Sequence, residues 1–299
     1  MSELRLGVVF PTCEIGDDPV AVRDFAQAAE DLGFHHLVAY DHVVGAVHAD
    51  REPPLWGPYT EADAFHEPFV LFGFLAAATR RLELTTGVII LPQRQTVLVA
   101  KQAAEIAVLS GGRLRLGVGT GWNYVEYDSL GVPFARRGAR LDEQIEVMRR
   151  LWREPVVDIT GTFHRIDRGG IAPQPAADIP IWFGGSSPHA LARAVRLGDG
   201  FLFGSSGSRI VGLVEQTQQL LAQAGRDPAT FGFEALVDWS KGPEAWRAEL
   251  DQWRRVGGTH LSIRTMSTAA AFMRIDPPGF TSVGQHIAAL EQFMQVARS

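Results

Sequence analysis

The chain has 299 residues, a formal net charge of −6 and a single cysteine, Cys13. A negative chain argues against non-specific nucleic-acid binding, which needs a clustered positive surface. One cysteine excludes an internal disulfide framework. Met1–Phe10 has no basic start followed by a long apolar run, and no apolar stretch is long enough to cross a bilayer. We therefore expect a cytoplasmic protein without a signal peptide or a membrane span.

In the first half of the chain, short β-type runs alternate with longer amphipathic helical runs. Asp18 followed by Pro19 predicts the N-cap and first residue of a helix. The predicted strands are Leu4–Phe10, His36–Tyr40, Leu82–Leu91 and Arg113–Val118, and the predicted helices are Val20–Leu32, Pro68–Arg80, Thr96–Leu109 and Ala139–Trp152.

The second half repeats this alternation. The predicted strands are Ile179–Phe183, Phe201–Phe203, Phe231–Val237 and His260–Arg264, and the predicted helices are Pro188–Leu197, Ile210–Gln223, Pro243–Val256 and Thr281–Ala297. Eight strand–helix pairs in order predict a single (β/α)8 TIM barrel, typically about 250 residues and longer with insertions. We therefore assign residues 1–299 to one α/β domain. A doubly wound sheet is the main alternative.

Three predicted connections are too long for tight turns: Val43–Glu67, Gly119–Gly138 and Pro155–Pro180. The first two leave the C-terminal ends of strands, where barrel enzymes build their sites, and long loops there are usually functional. The third contains Val156–Thr160 and Thr162–Ile166 around Gly161, which predicts an inserted β-hairpin before strand five. We expect that hairpin to lie outside the barrel.

Two glycine-containing segments follow predicted strands. The run Gly117-Val118-Gly119-Thr120-Gly121-Trp122-Asn123 would let the backbone approach a flat ligand, although a tight turn explains it equally well. The run Gly184-Gly185-Ser186-Ser187-Pro188 leads into a helix N-terminus, an arrangement that suits a phosphate group. Gly204-Ser205-Ser206-Gly207 with Arg209 could supply the other side of that anion site. The alternative is that both segments are exposed turns.

Asp41 and His42 end the second predicted strand. A carboxylate and an imidazole there could orient a ligand and move a proton, since histidine titrates near neutrality. The alternative is a hydrogen-bonded pair that braces the long loop. The chain has no H-x-H or H-E-x-x-H pair, which disfavours a zinc hydrolase. A metal-dependent barrel hydrolase using Asp41, His42 and His48 remains a competing hypothesis, as does a cofactor-binding protein without catalysis.

Three segments together carry a family resemblance: Thr85–Pro92, Val99–Ala104 and Leu109–Asn123. In order, spacing and identity they resemble the luciferase-like monooxygenase superfamily, and in particular its probable coenzyme F420-dependent oxidoreductases. The resemblance runs from strand one to about residue 205. It implies a barrel of the bacterial-luciferase type, with a flavin or deazaflavin ring at the C-terminal ends of the strands.

The resemblance also implies roles for individual residues. His42 would handle a proton beside the cofactor head, and a bulge with a cis peptide at Gly87–Val88 would support the ring. The outer helices Pro68–Arg80 and Thr96–Leu109 would form a homodimer. Phe69, Leu71, Phe72, Phe74 and Leu75 offer more apolar surface than one buried helix stripe needs, and the alternative is that all five pack within the barrel's own shell. The residues expected to bind the cofactor are Asp41, Thr86, Gly87, Val88, Gly119, Thr120, Gly121, Trp122, Gly184, Gly185, Ser186 and Ser205.

The leading functional hypothesis is an F420-dependent oxidoreductase that transfers a hydride to or from a small organic substrate. The alternative is an FMN-dependent monooxygenase fed by a separate flavin reductase, and a flavin or F420 reductase could be a partner. The family's sugar-phosphate dehydrogenases have a glutamate where this chain has Trp122, and a tryptophan near the place of Gly45 and Ala46. Their lysine after strand six is missing, although Arg209 is near. These departures argue against a sugar-phosphate substrate and leave F420 and FMN both open.

Overall fold

The structure, a computed structural model, describes residues 4–185, 187–268 and 270–299. Within these residues the strands are β1 (Arg5–Val9), β2 (His36–Ala39), β3 (Glu83–Thr86), β4 (Ile89–Ile90), β5 (Leu114–Gly119), β6 (Val157–Thr160), β7 (Arg165–Gly169), β8 (Ile181–Gly184), β9 (Gly200–Phe203), β10 (Gly232–Asp238) and β11 (His260–Arg264).

The helices of the described chain surround the strands. They are α1 (Thr12–Ile15), α2 (Pro19–Asp31), α3 (Pro68–Ala78), α4 (Thr96–Leu109), α5 (Tyr124–Ser129), α6 (Arg137–Arg153), α7 (Pro188–Leu197), α8 (Ser208–Gln223), α9 (Gly242–Val256), α10 (Ala270–Met273) and α11 (Val283–Arg298). None of the described helices is both long enough and apolar enough to span a membrane.

The strands close into a parallel barrel. Neighbours follow the order β3, β2, β1, β11, β10, β9, β8 and β5, and pairing of β3 with β5 completes the circle. The apolar core lies between the strands and the helices that pack on them, with Phe25, Phe72, Trp246 and Phe293 among its largest buried side chains. The predicted (β/α)8 TIM barrel is therefore confirmed.

The capping signals in the sequence fix helix starts as predicted. The Asp18 carboxylate accepts a hydrogen bond of 2.8 Å from the Val20 amide, and Pro19 is the first residue of α2. Helix α7 begins at Pro188 with Ser187 as its N-cap. The predicted bounds of α4, α7 and β11 match the structure.

The third predicted strand is wrong as one continuous element. Leu82–Leu91 forms β3 and β4, separated at Gly87–Val88, where the predicted cis peptide is present. A Cβ on Gly87 would lie 2.2 Å from Cγ1 of Val38, so only glycine fits this close approach. Beyond the break, β4 pairs with β5 through Ile89 opposite Val118.

The hairpin prediction is correct in kind, since β6 and β7 pair antiparallel in a separate sheet. Its second strand was expected at Thr162–Ile166 but forms at Arg165–Gly169. The amides of Thr162, Phe163 and His164 instead donate to the carboxylate of Glu143 on α6, which holds these residues in the turn. Helix α5, inside the predicted Gly119–Gly138 loop, was not expected.

A charged network fills the N-terminal half of the barrel interior. Arg115 donates to Glu234 and to Glu83, each at 2.7 Å, and the Glu234 carboxylate also contacts His36 at 2.8 Å and accepts from Ser262 at 2.6 Å. Burial by itself would raise the pKa of Glu234, but His36 and Arg115 hold it well below its ordinary value of 4.5. Buried charges persist only when they are paired in this way.

This network predicts that neutralising Glu234 lowers the free energy of unfolding more than neutralising Glu83 does. Glu234→Gln should lower the free energy of unfolding by about 3 kcal/mol or more, because it leaves the buried Arg115 charge without its fully buried partner. Glu83→Gln is the matched control and should cost less, since the Glu83 side chain is 24% exposed and water can replace it. Urea unfolding followed by circular dichroism measures both. Equal losses would contradict the assignment of Glu234 as the centre of the network.

Candidate active site

A cavity of about 590 Å³ opens at the C-terminal ends of the barrel strands. Barrel enzymes build their active sites at this face. Another cavity, of about 660 Å³, lies elsewhere, between the start of β1 and the ends of α9 and α11. The cavity at the strand ends is lined by eleven of the predicted site residues: Asp41, His42, Gly87, Val88, Gly119, Thr120, Gly121, Trp122, Gly184, Gly185 and Ser205.

The other two predicted residues are Thr86 and Ser186. Thr86 is completely buried, and its hydroxyl donates a hydrogen bond of 2.7 Å to the Gly117 carbonyl. It therefore joins β3 to β5 and does not face the cavity, because side chains alternate along a strand. Ser186 lies outside the described residues.

The Asp41 carboxylate braces the end of β2. One oxygen accepts from the Ile90 amide at 2.8 Å, and the other accepts from Arg94 at 2.6 Å. Arg94 also donates to Glu67, the N-cap of α3. Burial raises the pKa of Asp41 above its ordinary value of 3.8, and Arg94 opposes that shift. With both oxygens engaged and the side chain fully buried, Asp41 bounds the cavity without offering it a free carboxylate.

His42 is paired with a carboxylate that no sequence pattern indicated. Its Nδ1 lies 3.5 Å from Oε2 of Glu126 on α5, and the other Glu126 oxygen accepts from the amides of Val43 and Val44. Burial by itself would raise the pKa of Glu126, but His42 and the two amides hold it below its ordinary value of 4.5. The imidazole is thereby oriented through Nδ1, and among the described residues Nε2 has no hydrogen bond.

Aromatic side chains enclose the His42 ring. The ring centroids of Phe65, Tyr59 and Trp122 lie 4.9, 5.1 and 5.7 Å from that of His42. Tyr59 and Phe65 come from the long loop after β2, and Trp122 comes from the loop after β5, so the two long connections meet over the histidine. A fixed imidazole in an apolar wall is an arrangement that can deliver or accept a proton with little competing water.

A second, adjoining cavity of about 320 Å³ extends the first one towards α8. The two share Gly184, Gly185, Gly204 and Ser205, and the extension also reaches Arg209. A Cβ on Gly204 would meet no atom within 4 Å, so the backbone there borders open space. Arg209, glycine backbone and the N-terminus of α7 are groups that attract an anion.

Side chains from α9 and from the segment before it hold the loop between β9 and α8. Ser206 donates a hydrogen bond of 2.6 Å to Glu249 on α9, and Lys241 donates to the same carboxylate at 2.7 Å. These contacts hold the segment between β9 and α8 in place while Ser205 lines the cavity. The Ser187 hydroxyl accepts from the Ala190 amide at 3.2 Å, so it serves the helix as a cap.

The geometry gives no support to the metal-hydrolase hypothesis. Asp41 is occupied by Arg94, and the His48 ring packs against Trp122 at a centroid distance of 6.0 Å. Within the described ranges, no group of three or more histidine, cysteine, aspartate or glutamate side chains is arranged to hold a metal ion.

The fold and the cavity define a β/α barrel with a ligand site at its strand ends. The sequence profile of luciferase-like monooxygenases matches residues 4–291, and the chain belongs to that family. Its members are oxidoreductases and monooxygenases. The chain is 36% identical over 206 residues to the uncharacterised protein Rv0940c of Mycobacterium tuberculosis, covering 67% of this chain and 71% of that protein.

Two further similarities concern proteins with named activities. The chain is 27% identical over 259 residues to the pyrimidine monooxygenase RutA of Escherichia coli, covering 77% of this chain and 70% of that protein. The structure of an F420-dependent secondary alcohol dehydrogenase, solved with an F420-acetone adduct, superposes with a TM-score of 0.77 at 16% identity, and the match covers all of both chains. At that identity the likeness shows the shared fold.

The Glu126 contacts predict a local, pH-dependent anchor for the loop after β2. Glu126→Gln should speed amide exchange at Val43 and Val44 by roughly 10- to 150-fold, since a hydrogen bond to a charged group is worth about 1.5–3 kcal/mol. Because the folded pKa of Glu126 is lowered, the anchor is complete above pH 4.5 and weakens as the pH falls through that lowered value. Hydrogen exchange read by mass spectrometry measures both effects.

Glu61→Gln is the matched control, because Glu61 is an exposed glutamate of the same loop. It should leave exchange at residues 43–44 unchanged. Equal acceleration in the two variants would show that the loop responds to lost charge in general and that Glu126 is no specific anchor.

Proposed function

We propose that this protein is an oxidoreductase that uses the deazaflavin coenzyme F420 for hydride transfer to or from a small organic substrate. The observation that supports this most strongly is the shape of the joined cavities. A broad chamber beside His42 continues into a narrower arm that ends at Arg209. A flat ring with a phosphate-bearing arm needs such a shape.

The floor of the chamber fits a planar ring. The Val88 side chain packs against bare backbone on both sides: a Cβ on Gly119 or on Gly184 would lie 2.6 Å from one of its methyl groups. The Val88 side chain therefore packs closely between the ends of β5 and β8 and forms a flat apolar surface. We propose that Val88, Gly87 and Gly119 support the ring and that Trp122 closes it off from water.

The arm fits a singly charged phosphate better than a doubly charged one. A phosphate monoester, as in FMN, carries close to two negative charges near neutrality and is best held by several charged donors. Arg209, which is exposed, is the guanidinium lining the described arm. One cation with glycine amides suits the phosphodiester of a deazaflavin, whose tail could continue into solvent. We propose that Gly184, Gly185 and Ser205 hold this group.

A bound deazaflavin supplies or accepts a hydride, and the protein contributes position and proton handling. We propose that His42 is the proton-handling residue, acting at Nε2. The Glu126 carboxylate lies 3.5 Å from Nδ1 and orients the ring. The aromatic wall of Tyr59, Phe65 and Trp122 excludes water from the proton path.

An FMN-dependent monooxygenase fed by a separate flavin reductase is the second candidate, and the similarity to pyrimidine monooxygenase RutA favours it. Titration of the purified protein with F420 and with FMN, followed by absorbance, separates the two. We expect saturable binding of F420 and no oxygen uptake with the reduced cofactor. Tight FMN binding with substrate-dependent oxygen consumption would replace the first proposal by the second.

A charge placed in the arm should weaken cofactor binding. Gly204→Glu introduces a carboxylate where a side chain meets open space, and its repulsion of the phosphate should raise the F420 dissociation constant about tenfold, or ~1.4 kcal/mol. Gly204→Gln has nearly the same shape without the charge and is the control. Fluorescence titration measures both. The same dissociation constant in the two variants would contradict the proposal that the cofactor phosphate lies in this arm.

We further propose that α3 and α4 form a homodimer interface. Of the five apolar residues singled out on α3, four are buried in the barrel's own shell and Phe74 is 46% exposed. The exposed face instead comprises Val70, Phe74, Val97, Leu98, Val108 and Leu109. Adjacent exposed apolar side chains on two packed helices are typical of a protein interface.

The expected result is a dimer by light scattering at micromolar concentration, and a monomer for Leu98→Glu, because burying an unpaired carboxylate is costly. Val20→Glu on α2 is the matched control, since Val20 is comparably exposed on another face. A monomeric wild-type protein would refute the dimer.

A further inference from the structure

Tyr40 lies at the inner end of the cavity, immediately after β2. Its ring borders the bulge: a Cβ on Gly87 would be 3.8 Å from Cδ1 of Tyr40. The ring of Tyr59 lies between Tyr40 and His42, with centroid distances of 6.3 and 5.1 Å. Tyr40 and His42 both line the same chamber.

The Tyr40 hydroxyl accepts one hydrogen bond, and its own proton is not donated to any described residue. Nη1 of Arg264 donates to the hydroxyl oxygen at 3.3 Å. Within the described residues no acceptor is bonded to the hydroxyl. A phenol that accepts from a guanidinium becomes a better donor, because the positive charge draws electron density from its oxygen. Tyr40 therefore has one O–H bond available to a molecule in the cavity.

Arg264 also lines the cavity, and the Asp238 carboxylate balances its charge. Its Nε donates to Oδ1 of Asp238 at 2.7 Å, and its Nη2 lies 2.6 Å from the same oxygen. Arg264 and Asp238 are each about 5% exposed, at the ends of β11 and β10. A buried pair of this kind has little net charge to offer a further anion.

We propose that Tyr40 donates a hydrogen bond to an uncharged carbonyl oxygen of the substrate. The substrate class is then a small, mainly apolar ketone or aldehyde, or the corresponding alcohol in the reverse direction. This inference rests on the proposed function, and it adds the group that the substrate presents. Leu202, Leu236 and Met273 line the cavity around Tyr40 and would contact the apolar part.

The hydrogen bond would strengthen during reduction. If a bound deazaflavin supplied a hydride to the carbonyl carbon, the π electron pair would move to oxygen, where the Tyr40 O–H would stabilise the growing negative charge. Tyr40 keeps its own proton, and burial raises its pKa above the ordinary value of 10. The proton that completes the alcohol comes from His42. Tyr40 is thus a catalytic residue through its contact with the substrate, and Arg264 positions it.

The test compares three probes of similar shape on the protein loaded with oxidised F420: acetophenone, ethylbenzene and benzoate. Calorimetric titration gives each dissociation constant. We expect acetophenone to bind about fivefold more tightly than ethylbenzene, the gain from one neutral hydrogen bond, and also more tightly than benzoate. In Tyr40→Phe the preference for acetophenone over ethylbenzene should vanish. Tyr124→Phe is the matched control, because its hydroxyl contacts the Pro53 carbonyl outside the cavity, and it should keep the preference.

A spectroscopic measurement makes the test independent of how the variants fold. The infrared carbonyl stretch of bound acetophenone should shift to lower wavenumber in the wild-type complex, as it does when a carbonyl accepts a hydrogen bond. An unshifted stretch would overturn the proposal. So would an unchanged preference in Tyr40→Phe, a preference for benzoate, or no binding of acetophenone at millimolar concentration.

The proposed function and this inference fail in different ways. If F420 does not bind, the proposed cofactor is wrong, and the three probes are then titrated into the FMN-loaded protein. If the FMN-loaded protein prefers acetophenone and loses that preference in Tyr40→Phe, the carbonyl subsite is correct and only the proposed cofactor is wrong. Normal F420 binding without that preference would retain the cofactor and remove the subsite.

Discussion

Pairing of β3 with β5 closes the parallel sheet into a barrel and brings the strand ends into one ring. Because every strand points the same way, Asp41, Gly87, Gly119, Gly184 and Ser205, which are far apart in the chain, meet around one chamber. The break at Gly87–Val88 occurs just beyond this pairing, and β4 then continues along β5. The floor of the chamber is thus a direct consequence of how the barrel closes.

Charge inside the barrel is organised in compensated groups. Arg115 with Glu234 fills the N-terminal half, while Arg94 with Asp41 and Arg264 with Asp238 occupy the C-terminal ends. Each pair satisfies a buried charge, as a low-dielectric interior requires. The chamber therefore has hydrogen-bonding groups but little excess charge near Tyr40. The exposed guanidinium of Arg209 lies apart from these pairs and lines the adjoining cavity.

The two long loops complete the site in different ways. The loop after β2 brings Tyr59 and Phe65 against His42, and the loop after β5 supplies Trp122 and Glu126. The Glu126 carboxylate binds the backbone at Val43 and Val44, so each loop stabilises the other. A histidine held in this way combines a fixed position with an apolar surround, which a proton-transfer group needs.

Local patterns in the sequence were sufficient for the barrel and its helix caps, because alternation and capping residues act over a few residues. The cis bond at Gly87–Val88 and most of the cavity lining were instead implied by the family resemblance. Glu126, Arg94 and Arg264 had no such signal: each acts on a residue more than forty positions away, and only closure of the barrel brings the partners together. The same holds for Thr86, which looked like a site residue by its neighbours but faces away from the cavity. Side-chain direction at a strand end depends on pairing with the adjacent strands, and that is decided by tertiary structure.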